Sequence, residues 1–126
     1  MDCYFGTFDL PAGNDSGKTT VVSFYIPEIG VRFKAPFNAV DCEHSHWASL
    51  LALLEFIDSN QKYFENHTFR IYGNNLAVIN RVNGLEKLPP RYAPLMAKTV
   101  QYREKYRFSL DWIPTDQNSA IAPLFD

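Results

Sequence analysis

The hydrophobic period of this chain changes near residue 41, and that change fixes the class of fold open to it. Before it, apolar residues follow strand logic. Residues 19–26 read Thr-Thr-Val-Val-Ser-Phe-Tyr-Ile, a β-branched and aromatic run. Residues 3–10 are short and aromatic-rich, and residues 31–34 alternate apolar and basic. Pro, Gly, Asn, Asp and Ser over residues 11–17, and Pro27-Glu28-Ile29-Gly30, supply the turns of an antiparallel three-strand meander. After it, Trp47, Leu50, Leu51, Leu54 and Ile57 recur at three and four residues, the stripe of an amphipathic helix. Asp41 is placed to cap that helix, and Ser59-Asn60 ends it.

The remainder alternates. Residues 67–72 read as a strand, and Leu76, Ile79 and Val82 as a helical stripe closed by Asn83-Gly84. Leu88-Pro89-Pro90 breaks the chain. Residues 92–106, with Leu95, Met96, Val100 and Tyr102, read as a third helix. Residues 108–113 are a strand stopped by Pro114, and residues 118–125 a short final helix. The order is βββαβααβα, an α/β domain with mixed antiparallel and parallel pairing.

Length and composition narrow this further. The 126 residues suit one domain spanning 1–126, since two halves would each bury too little core. No apolar run approaches the ~20 residues of a membrane span, so no membrane partner is expected. Cys3 and Cys42 are too few for a disulfide framework, and residues 1–4 lack the basic start of a secretory leader. The expected setting is a reducing cytoplasm.

The formal net charge of −2 hides an asymmetry. Residues 81–107 carry Arg81, Lys87, Arg91, Lys98, Arg103, Lys105 and Arg107 against only Glu86 and Glu104. A stretch of this kind is either a solvated helical face or a phosphate-binding surface.

Two local patterns carry less. Ala12-Gly13-Asn14-Asp15-Ser16-Gly17-Lys18-Thr19 resembles a phosphate loop, but such a loop must open into a helix whose N-terminus faces the anion. The β-branched residues that follow argue for a strand and hence a hairpin. Asp41, Glu43, His44 and His46 cluster in sequence. His44 and His46, two apart on a helix, diverge by about 200°, so a shared metal would require them to precede the helix.

One resemblance covers nearly the whole chain by element order. The segment Ile71-Tyr72-Gly73-Asn74-Asn75-Leu76-Ala77-Val78-Ile79-Asn80-Arg81-Val82-Asn83-Gly84 resembles the strand-to-helix segment I-Y-S-D-S-x-L-V-I-N-x-V-N-G of the ribonuclease H family. Ser109-Leu110-Asp111-Trp112-Ile113-Pro114, with Thr115-Asp116-Gln117-Asn118 after it, resembles that family's last strand and its V-P-R-x-x-N stretch. The resemblance implies an RNase H-like mixed five-stranded sheet, three antiparallel strands then two parallel, with helices on both faces.

It also implies a site. The family holds two divalent metals on four acids, which activate water for phosphodiester cleavage. Carried over one by one, the first acid falls on Asp9, the sole weak metal ligand. The second falls on His46, with Glu43 one turn earlier as a substitute; the third falls on Asn74 and the fourth on Ala122. Two metals would face one carboxylate. The expectation is a catalytically degenerate domain without a cofactor, serving as a nucleic-acid-binding or protein-interaction module or as a homo-oligomer. Arg81, Lys87, Arg91, Lys98, Arg103 and Lys105 would contact phosphates. The alternative is an active ribonuclease using Mg²⁺ or Mn²⁺ on Asp9, Glu43, His46 and Asn74, cutting the RNA strand of RNA–DNA hybrids.

Overall fold

The computed structural model describes residues 1–11 and 18–121. Residues 12–17, most of the phosphate-loop-like pattern, and residues 122–126, with Ala122, lie outside it. Five strands form one sheet: β1 (Asp2–Pro11), β2 (Lys18–Ile26), β3 (Val31–Phe37), β4 (Thr68–Gly73) and β5 (Arg107–Trp112). Their order is β3-β2-β1-β4-β5. The first three pair antiparallel, and β4 and β5 add in parallel to β1. Gly30, at φ +65, makes the β2–β3 connection after a 3₁₀ turn over Pro27–Ile29. The strand that follows residues 12–17 is β2, as the β-branched residues require.

The helices are α1 (Cys42–Ser59), a single turn α2 (Gln61–Phe64) that no periodicity announces, α3 (Leu76–Val82) and α4 (Ala93–Lys105). The α1 N-terminus is capped by Asp41, whose carboxylate accepts the His44 amide at 2.8 Å. The stripe of Leu76, Ile79 and Val82 is α3, capped by Asn75, whose Oδ1 accepts the Val78 amide at 3.1 Å.

Alternation sorts each strand. Cys3 and Phe5 of β1, Phe24 and Ile26 of β2, Phe69 and Ile71 of β4 and Leu110 of β5 point to one face. There they meet Trp47, Leu50, Leu53, Leu54 and Ile57 of α1 and Val78, Ile79 and Val82 of α3 in one core. Burial of each such large side chain is worth about 1.5–3 kcal/mol. The fit at the end of β4 leaves no space for a side chain, because a Cβ on Gly73 would stand 2.5 Å from the Phe5 ring.

Helices α3 and α4 pack on α1 and β5, so the described helices all share the core side of the sheet. The resemblance implies helices on both faces. In the described chain, the opposite face receives only the stretch after β5. That stretch is a 3₁₀ turn over Thr115–Gln117 followed by Asn118–Ile121, where Ala120 and Ile121 are buried. The expected helix over residues 118–125 falls largely outside the described residues. No described helix is long and apolar enough to cross a membrane.

Candidate functional site

The parallel join of β4 to β1 runs only from Asp2↔Arg70 to Tyr4↔Tyr72. Beyond it the two strands part, and side chains from both faces of the sheet converge on Gly6 and Thr7 of β1. From the helix side comes His46 of α1, whose Nε2 lies 3.2 Å from Thr7 Oγ1. Ser45 Oγ reaches the same hydroxyl at 3.3 Å and donates to Cys42 O at 2.6 Å. From the opposite side comes Asn74, which follows β4. Its Oδ1 accepts Asn118 Nδ2 at 2.9 Å, and its Nδ2 donates to Thr115 Oγ1 at 3.0 Å. Asn118 Nδ2 also donates to Phe5 O at 2.8 Å, and Asn118 Oδ1 accepts the Ala120 amide.

Asp9 does not join this group. It pairs with Thr20 on β2, whose hydroxyl donates to Asp9 Oδ1 at 2.9 Å. Three residues beyond Gly6 on an alternating strand, Asp9 is displaced by about 10 Å and faces the other way. The β1 residue beside Asn74 is Gly6. A Cβ built there would lie 2.9 Å from Asn118 Nδ2, 3.3 Å from Asn74 Oδ1 and 3.3 Å from Ile121 Cγ2. The position is therefore filled by a bonded pair of neutral amides and an isoleucine.

The other candidates are also committed elsewhere. Glu43 pairs with Arg81 and accepts the Trp47 indole N–H at 3.0 Å. Asp41 caps α1 and accepts the Tyr92 hydroxyl at 2.6 Å; these bonds hold its carboxyl below the ordinary range. The Val40 amide donates to His44 Nδ1. Burial pushes the His46 imidazole down to about 4, against a smaller opposing effect of Glu43, so it is neutral at pH 7. Its Nδ1 is buried without a partner among the described residues. Those residues contain no group of three or more His, Cys, Asp or Glu side chains arranged to hold a metal.

The basic stretch divides. Arg81 serves Glu43, Glu86 and the Lys87 carbonyl. Arg91 lies 3.7 Å from Asp41, and Lys105 pairs with Asp58 at 2.7 Å. Arg103 donates to Val82 O and Asn83 Oδ1 at the α3 C-terminus, neutral acceptors that leave its charge uncompensated. Lys87, Lys98 and Arg107 are exposed and have no ion pair among the described residues. Four of the seven bases thus bind the protein itself. That commitment depends on tertiary contacts and leaves no mark in the local sequence.

A sheet of this order, antiparallel through β1 and parallel beyond it, with α1 across its centre, is the ribonuclease H-like fold. The solved structures say the same. LC11-RNase H1, in a structure titled as a complex with an RNA/DNA hybrid, superposes with a TM-score of 0.74 at 14% identity, covering 94% of this chain and 88% of that one. The RNase H1 of the halophilic archaeon Halobacterium salinarum gives 0.69 at 12%, covering 99% and 98%. The N-terminal RNase H domain of Rv2228c from Mycobacterium tuberculosis gives 0.68 at 12%, covering 94% and 86%. At these identities the likeness concerns the fold. No protein-family model and no curated protein sequence matches the chain.

Proposed function

We propose that this chain is a catalytically inactive ribonuclease H-like domain that binds nucleic acid. The observation that carries the reading is Gly6. The place on β1 that adjoins Asn74 has no side chain, and the Asn118 amide occupies the space a carboxylate would need. Around it stand a neutral imidazole, His46, and a neutral amide, Asn74. Two divalent ions would bring four positive charges to donors that carry none, and magnesium demands hard anionic oxygens. The residues present do not fit a two-metal centre. Asp9 and Glu43, the acids that the resemblance assigns, are bonded to Thr20 and to Arg81 and Trp47.

Nucleic-acid binding is supported by the bases left without acidic partners, Lys87, Lys98, Arg103 and Arg107, since affinity for phosphate chains rests on such charges. The test is an RNA–DNA hybrid incubated with excess protein, in Mg²⁺ and then in Mn²⁺, read for both binding and cleavage. Salt-sensitive retention of an intact hybrid is expected. Metal-dependent cleavage that is lost in His46→Ala and Asn74→Ala would overturn the reading and restore the nuclease.

A further inference from the structure

The sheet face away from the helices carries a pattern that the site above does not use. Register places Tyr25 of β2 opposite Tyr4 of β1, and Tyr4 opposite Tyr72 of β4. The three tyrosines form one row across the three central strands, at the ~4.8 Å spacing of neighbouring strands. The row continues to Arg32 on β3 and to Asp111 on β5. All three rings are half-buried, with part of each open to solvent. Tyr4 and Tyr72 stack, with centroids 5.4 Å apart. The Arg32 guanidinium lies 4.1 Å from the Tyr25 ring centre and donates to Ser119 O and Ala120 O at 3.1 Å, so at that end the guanidinium covers the ring and the stretch after β5 borders the row.

A second feature adjoins the row. Two residues before Tyr72, Arg70 borders an open cleft of about 500 Å³ at the β5 edge. Arg103 and Arg107 line it too, and no acidic residue does. Arg70 pairs with Asp2 at 2.7 Å outside that lining, Arg103 donates only to neutral oxygens, and Arg107 has no ion pair among the described residues.

We propose that this face binds a single-stranded nucleic acid, with unpaired bases on the Tyr25–Tyr4–Tyr72 row and phosphates in the Arg70–Arg103–Arg107 cleft. Bases stack on aromatic rings and guanidinium planes without regard to sequence, and sheet-borne aromatics suit two or three successive bases. A duplex keeps its bases inside and offers such rings nothing to stack on. A docked protein would meet the same rings, but charge decides between them: Arg32, Lys34, Arg70 and Arg107 on this face outnumber Asp2, Asp111 and the Asp116 of the turn after β5. The proposal rests on the nucleic-acid-binding reading and names the strand state and the surface.

The experiment is fluorescence anisotropy with a labelled ten-nucleotide oligouridine and a hybrid duplex of equal length, at several salt concentrations. Single-strand affinity is expected to exceed duplex affinity and to fall about tenfold in Tyr72→Leu. Arg107→Ala should weaken it and lower the logarithmic salt slope by about 0.7. Lys62→Ala, at an exposed base of α2 outside the basic stretch, should leave it unchanged. Thermal melts of each variant separate loss of binding from loss of folding, and Arg107→Ala, at an exposed side chain, keeps the test valid if Tyr72→Leu melts early. Single-strand binding indifferent to both variants overturns the platform. If hybrid binding is then lost in Lys98→Ala, the broader reading survives without it. No binding of either probe at low salt overturns both. A dimer that Tyr72→Leu dissolves, with no oligouridine bound, assigns the face to self-association and overturns the proposal.

Discussion

Gly6 decides more about this chain than any of its charged residues. The sequence offers Asp9 as the one acid near the end of the first strand, and its type fits the chemistry. Its parity does not. Cys3 and Phe5 face the core, so Asp9 shares the helix side, while Gly6 shares the side on which Asn74 and Asn118 meet. Alternation was legible before any coordinates; the face from which Asn74 approaches was not, because it depends on how β4 leaves β1. The assignments of His46 and Asn74 rested on helix stripe and local motif, and both side chains do reach β1, at Thr7 and beside Gly6.

His46 also has a consequence for stability. Burial holds its folded-state pKa near 4, below the ~6.5 of an unfolded histidine. Between those values the unfolded chain binds a proton that the folded chain refuses. Stability is therefore full above about pH 6.5 and falls as pH drops toward 4, by about 3 kcal/mol from this residue. Urea melts of wild type and His46→Gln across pH 4–7 should show the wild type losing more over that window. Parallel curves would mean that the imidazole is not held neutral by burial.

At the level of elements, the strongest signals were those set by local chemistry. The β-branched run became β2, the leucine stripe became α1, and Asp41 capped it. One difference has its cause in a neighbour that sequence does not display. Strand β3 continues through Pro36 to Phe37, where four residues were expected, because an edge strand tolerates a residue without an amide hydrogen. Asn75 caps α3, which leaves Asn74 to bond Asn118 and Thr115. The two asparagines should therefore behave differently. Asn75→Ala removes the cap and should lower stability by about 1 kcal/mol. Asn75→Asp should retain the cap, and a denaturation series on these two variants and wild type measures the difference. Equal loss in Asn75→Asp would remove capping as the explanation.

For the whole molecule, element order carried the reading to an α/β domain with mixed pairing, and the resemblance to the ribonuclease H family implied the five-stranded sheet that the structure has. Less legible was what the fold retains. The ribonuclease H-like frame persists with its convergence point on β1, yet that point is lined by Gly6, Asn74, Asn118 and a neutral His46. Of the basic stretch, part ties helices together and the rest is exposed. Fold does not imply function, and the proposal of binding without metal chemistry rests on this neutral donor set and on the exposed bases.

The most direct measurement is a Mn²⁺ titration followed by amide and side-chain NMR. Paramagnetic broadening reports where a divalent ion resides, whatever the protein does with it. The account predicts no selective broadening at Gly6, Thr7, Asn74 or Asn118 at low millimolar Mn²⁺, with any effect confined to exposed carboxylates. Saturable broadening centred on Gly6 and Asn74 would contradict it, because it would place a metal where the structure presents only neutral donors.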